Sequence, residues 1–166
     1  SIFNAIAGWE FENAGEGNRP VFNRPGTMDV TSALSCLVGI MASLYAKRAN
    51  GETYSTQASL LGVSTFTQGE RLLREDGSLT ETCKLDSAQT GFGPYHRIFE
   101  TQDDWIAIAA HSDAARAGVR SVLGDDEAGF EASAKAGSAG HLLAALEAAG
   151  VPCDRVNYED AMNRFF

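Results

Sequence analysis

The chain has 166 residues, of which 44% are hydrophobic and 21% charged, an ordinary globular composition for one domain or two small ones sharing a core. Thirteen Lys and Arg against 22 Asp and Glu leave a formal charge of −9, with no basic run longer than Lys47-Arg48. Duplex nucleic acid and anionic membrane surfaces are therefore disfavoured as partners, while a local site of backbone N–H groups and one or two Arg could still hold an anionic ligand.

Ser1 opens directly into Ile2-Phe3-Asn4-Ala5-Ile6-Ala7, and the chain closes on Phe165-Phe166. Ends this apolar predict a segment cut from a larger protein. Gly15, Gly17, Asn18, Pro20, Asn23, Pro25 and Gly26 make residues 10–28 a run of turns without a regular element. A long helix is predicted over 29–48. Asp29 is its expected N-cap, and Val30, Ala33, Leu34, Leu37, Ile40, Met41, Leu44 and Tyr45 recur at helical spacing. Lys47 and Arg48 suit its negative end, and Asn50-Gly51 stops it. The wide apolar face predicts burial over most of its circumference.

Residues 52–58 alternate as a short strand, and 60–74 read as a second helix followed by an Asp76-Gly77 turn. The polar tract 75–90 is the expected boundary between two lobes. Residues 95–100 and 105–110 are predicted to form a hairpin around Gln102-Asp103-Asp104. A helix over 113–123 follows, capped by Ser112 or Asp113, then a partly helical stretch to residue 140. A helix over 140–149 ends at Gly150, a strand runs from Cys153 to Val156, and a last helix covers 158–166. The mixture is α/β or α+β.

Most chemical signatures are missing. No GxxxxGK[ST], GxGxxG or GxSxG stands in the right context. His96, His111 and His141 lack metal-ligand spacing, so no metal is expected. Cys36, Cys83 and Cys153 lie far apart, without a CxxC pair, which predicts neither a disulfide framework nor a zinc knuckle but a reducing cytoplasm. No apolar run near the roughly 20 residues of a membrane span is seen. Cys36, on the apolar side of the first long helix, reads as a small buried hydrophobe rather than a nucleophile, and Cys153 likewise as packing. Asp103-Asp104 reads as a solvated turn rather than an acid–base pair. Thr90-Gly91-Phe92-Gly93-Pro94 stands apart, because two glycines just before a strand allow either a tight lead into the hairpin or close approach of a ligand to the backbone.

Taken in order, several tracts resemble the family III coenzyme A transferases of the CaiB/BaiF type. They are Ala5-Ile6-Ala7-Gly8; the stretch from Asp29 to Arg48 with Gly51-Glu52; Ser55 to Leu61; Gly91 to Ala110; and Leu146 to Cys153. Asp104 stands where the family's hairpin turn usually has Gly. The resemblance implies an α/β fold, with residues 1–75 part of a Rossmann-like large domain and 76–166 a smaller α+β lobe. It implies transfer of coenzyme A between carboxylic acids, acyl-CoA and the free acid being the substrates, through an aspartyl acyl-enzyme. That aspartate is expected just before Ser1, outside this sequence, so the segment alone is expected to be inactive. Racemisation of acyl-CoA esters and a non-catalytic binding or scaffolding role are the alternatives. By the same resemblance Gly91, Phe92 and Gly93 match the glycine-rich loop over the acyl site, and Leu34 matches a helix position facing the coenzyme. Asp113 falls near an acidic residue that moves a proton in the racemase branch, though a plain helix N-cap is the favoured reading of it. An interlocked cytoplasmic homodimer is implied for the full-length protein. Without the rest of the large domain, the apolar faces of helix 29–48 would lie open and favour aggregation.

Overall fold

The computed structural model describes residues 2–22, 26–69, 72–80 and 82–157. The chain divides into two compact units, Ser1–Lys84 and Leu85–Phe166.

In the first unit, α1 (Ile2–Ala7) and α2 (Trp9–Glu12) are separated by Gly8 in the left-handed region, so the turn-rich tract after residue 10 begins one helical turn later than its composition predicts. α3 runs Thr27–Asn50 and α4 runs Leu60–Thr67. Gly26, not Asp29, is the N-cap of α3; Asp29 sits in the first turn, where its charge suits the positive helix end. Gly51 stops the helix at φ 81°, its N–H bonded to the Lys47 carbonyl at 3.0 Å. α4 packs against both α1 and α3, and Asn4, Ala14, Met28, Val63 and Ser64 are buried in this unit.

Three expectations fail in this unit. Residues 52–58 form no strand. A strand needs a partner, and here Ser43 Oγ on α3 takes that place, donating to the Tyr54 carbonyl at 2.7 Å and accepting from the Tyr54 N–H at 3.3 Å. α4 stops at Thr67 because the Gly69 N–H closes a turn on the Phe66 carbonyl at 3.0 Å. Leu73 and Leu79 then form a bridge across the Asp76-Gly77 turn. Finally, α3 is not buried: within this unit only Met28 is covered, while Val38 is 69% exposed. Cys36 is exposed with it, not packed as a core hydrophobe. By length and composition α3 is long and apolar enough to cross a membrane. Interspersed Ser and Gly conceal this when only uninterrupted apolar runs are sought, and the core helix of a globular protein has the same composition.

The second unit is a three-stranded antiparallel sheet in the order β1 (His96–Glu100), β2 (Trp105–Ala109), β3 (Cys153–Arg155). β1 and β2 pair in the register Ile98↔Ala107 and Phe99↔Ile106. α5 (Asp113–Leu123), α6 (Phe130–Ala136) and α7 (Ala139–Ala148) pack on the face bearing Phe99, Ile106 and Ile108. Val119, Leu123, Phe130, Leu142 and Leu146 complete that core. α5 is capped by Ser112, whose Oγ accepts from the Ala115 N–H at 3.1 Å, which leaves Asp113 as a first-turn residue rather than a cap. α7 ends in a Schellman motif: the Val151 N–H bonds the Leu146 carbonyl and the Gly150 N–H the Glu147 carbonyl, both at 2.9 Å, with Gly150 at φ 74°. The helix expected over 158–166 lies outside the described residues.

The hairpin turn is not a solvated pair of carboxylates. Asp103 Oδ1 accepts from the Ala139 N–H at 2.7 Å, at the first turn of α7. Asp104, its side chain 14% exposed, forms an ion pair with Arg155 of β3 and accepts from its neighbour's N–H at Trp105. Helix and strand arrive from far along the chain to meet the turn, which local sequence does not reveal.

Candidate functional site

One face of the sheet is covered by the three helices. The opposite face carries Ile98, Ala107 and Ala109. A groove of about 530 Å³ lies there, its apolar lining including Leu85, Phe92, Ile98, Ala107 and Cys153, its polar lining Gln89, Thr90, His96, Arg97 and Asp154. The Gly91–Gly93 loop forms part of its wall.

That loop is held along the edge of β1. Gly91 forms a bridge with Arg97, and the Ile98 N–H donates to the Thr90 carbonyl at 2.8 Å. The Phe92 N–H donates to the His96 carbonyl at 2.9 Å. A Cβ on Gly91 would fall 2.1 Å from the Arg97 Cβ and 2.4 Å from the His96 carbonyl oxygen, so only glycine fits. Gly93 is needed for a different reason, its φ of 143°. Phe92 is 51% exposed, with its ring edge-on to His96 at 5.6 Å; His96 in turn meets His111 at 4.8 Å.

Behind the loop lies a polar network. Arg97 Nη2 donates to Thr90 Oγ1 at 2.6 Å, and Thr90 Oγ1 donates to Asp86 Oδ2 at 2.8 Å. The Thr90 N–H reaches Asp86 Oδ1 at 2.8 Å, while the Asp86 N–H returns to the Gly91 carbonyl at 2.9 Å. Arg97 also pairs with Glu131 and lies 3.7 Å from Asp86. Burial alone would raise the Asp86 carboxyl, but the Thr90 N–H and hydroxyl and the Arg97 charge outweigh it and hold it below the usual carboxylate range. Burial, followed by the charges of Glu147 and Asp154, pushes the Cys153 thiol up.

Gly91, Phe92 and Gly93 share the one loop. Leu34 lies in the first unit, 56% exposed on α3. Asp113 is exposed at the start of α5 and does not line the groove. Among the described residues no group of three or more His, Cys, Asp or Glu could hold a metal ion. Sequence reasoning missed Asp86 and Arg97, and marked Thr90 only as the start of the glycine tract. A signal was present: Arg97 occupies a β1 position on the same face as Phe99, opposite Ile108, where an apolar residue belongs.

Solved structures with this architecture exist. A hypothetical protein (Rv3272) from Mycobacterium tuberculosis superposes with a TM-score of 0.73 at 16% identity, over 99% of this chain and 50% of that one. A CAIB/BAIF family protein from Brucella suis superposes with a TM-score of 0.70 at 16% identity, over 98% of this chain and 48% of that one. The mixed helix-and-sheet fold expected from the resemblance is the one these structures share, and the chain spans about half the length of each. No curated protein matches the sequence. The profile of CoA-transferase family III matches residues 1–164, and the chain belongs to that family.

Proposed function

We infer that this chain is part of an enzyme that moves coenzyme A between carboxylic acids, and that its second unit supplies the loop covering the acyl group. The family match over residues 1–164 carries this reading. A carboxylate attacks the acyl-CoA carbonyl and expels the coenzyme thiolate, leaving an enzyme anhydride. The thiolate then attacks the enzyme acyl group and releases the free acid, leaving an enzyme thioester. The acceptor acid takes up coenzyme A by the same two exchanges in reverse, which regenerates the carboxylate. The attacking aspartate belongs to the longer protein. Within this chain, Gly91-Phe92-Gly93 would face the acyl group, and Leu34 the coenzyme.

The groove beside the loop supports this reading, because the acyl group of a thioester needs an apolar bed. In the full protein we place two such chains in a cytoplasmic homodimer. The test is coenzyme A exchange between an acyl-CoA and a second carboxylic acid by the full-length protein, with hydroxylamine added to trap the activated acyl-enzyme. Exchange with hydroxylamine inactivation is expected. Loss of the α-proton to deuterated water without exchange would replace the reading with racemisation, for which exposed Asp113 is the candidate base. Neither activity, with acyl-CoA still bound, would point to a scaffold.

A further inference from the structure

The geometry points to Arg97 as a positioning residue that, through Thr90 and Asp86, sets the seat of the Gly91-Phe92-Gly93 loop against the open sheet face. This rests on the reading of that loop as the acyl cover.

Arg97 is an unexpected residue for its place. Its strand neighbours on the same face are core residues, its side chain is 16% exposed, and its guanidinium rests over the Phe99 ring at 5.2 Å. Its Nε is buried without a hydrogen-bond partner. An aliphatic side chain would fill the space without that cost. What the guanidinium adds is reach, since its Nη2, at the tip of the side chain, donates to both Thr90 and Glu131.

Arg97 also holds the loop through its backbone. Its Cβ occupies the space a side chain on Gly91 would need, and its main chain bridges to Gly91. Thr90 and Gly91 are therefore held by the side chain and by the main chain of one residue. Asp86 closes the ring, since it accepts from Thr90 twice and donates its own N–H to the Gly91 carbonyl. A shift of the Arg97 head moves Thr90, then Gly91, then the Phe92 N–H and the ring beside it.

Two variants separate position from folding. Arg97→Lys keeps the charge but shortens the side chain, so one nitrogen no longer reaches Thr90 and Glu131 together. Thr90→Val removes one hydroxyl and leaves the Arg97 packing intact. Amide hydrogen exchange on the full-length protein is the first readout. Phe92 should exchange about tenfold faster in both variants, with the β2 amides unchanged. Unchanged Phe92 exchange in both would overturn the proposal. The second readout is the ratio of kcat/KM for a short and a long acceptor acid in full-length Thr90→Val. A merely lower folded fraction cancels in that ratio, whereas a displaced acyl cover should change it by about fivefold or more. An unchanged ratio beside normal wild-type exchange would likewise refute the positioning role. Absence of coenzyme A exchange in the wild type would instead defeat the functional reading, and amide exchange would still decide whether Arg97 seats the loop.

Discussion

Replacing Asp103 with Ala should destabilise the second unit by about 1.5–2 kcal/mol. The carboxylate accepts the Ala139 N–H at 2.7 Å, one of the first donors of α7 that no helical carbonyl can reach. Loss of such a cap costs about 1 kcal/mol. Removal of a negative charge from a helix N-terminus adds roughly 0.3–1 kcal/mol. Ser138 does not compensate, because its Oγ serves a different donor, the His141 N–H, across 3.4 Å. Asp103→Asn keeps an acceptor and loses only the charge, so about half the effect should remain. Urea unfolding followed by Trp105 fluorescence, in a Trp9→Phe background, isolates this unit. With a slope of about 1 kcal/mol/M the midpoint should fall by roughly 1.5–2 M for Ala. A midpoint that moves by less than about 0.3 M in both variants would show that the turn does not hold α7.

Gly118→Ala should also destabilise, despite alanine's better helix propensity. The new Cβ would stand 2.7 Å from the Ala149 carbonyl oxygen and 2.8 Å from Val151 Cγ2, and overpacking of that kind costs about 1–3 kcal/mol, measurable in the same titration. Asp86→Asn should show a pH signature. The Asp86 carboxyl is lowered in the folded state, so its contribution is present above the ordinary value of 3.8 and fades as pH falls below it. The stability gap between wild type and variant should therefore be flat near neutrality and close in acid; a gap that widens there would contradict the network. Timed alkylation with mass spectrometry should modify exposed Cys36 and Cys83 well before Cys153, whose thiol is half-buried and raised by that burial and by Glu147 and Asp154. Modification of Cys153 first would show that the groove wall opens readily.

What the sequence revealed depended on how local the cause was. The hairpin, α5 and the end of α7 are written in alternation, in Ser112 and in Gly150, all within a few residues of the feature they determine. The stop of α3 at Gly51 is legible for the same reason. The failures involve partners distant along the chain. Residues 52–58 have the composition of a strand, but Ser43 supplies their hydrogen bonds and Gly39 makes room for Thr56, whose Oγ1 would lie 2.8 Å from any Cβ there. Asp103 and Asp104 look like loop carboxylates until Ala139 and Arg155 are brought to them. The site divides the same way. Two glycines marked the loop that opens at Thr90, while Asp86 and the hydrogen bonds of Thr90 became visible only once Arg97 lay beside them. The apolar pattern of α3 identified a helix but could not supply the surface that would cover it.

The Asp104–Arg155 ion pair joins residues 51 positions apart. At a synthesis rate of roughly 5–20 residues per second, Arg155 leaves the ribosome about 3–10 seconds after Asp104. The β1–β2 hairpin can close within about 10 microseconds of its own emergence. For nearly all of the interval it waits with the β2 edge unpaired and Ile106 and Ile108 short of their final neighbours. The nascent chain therefore spends seconds as an open-edged ribbon, and the charge of Asp104 at the end of that ribbon discourages a stray strand from docking before β3 arrives.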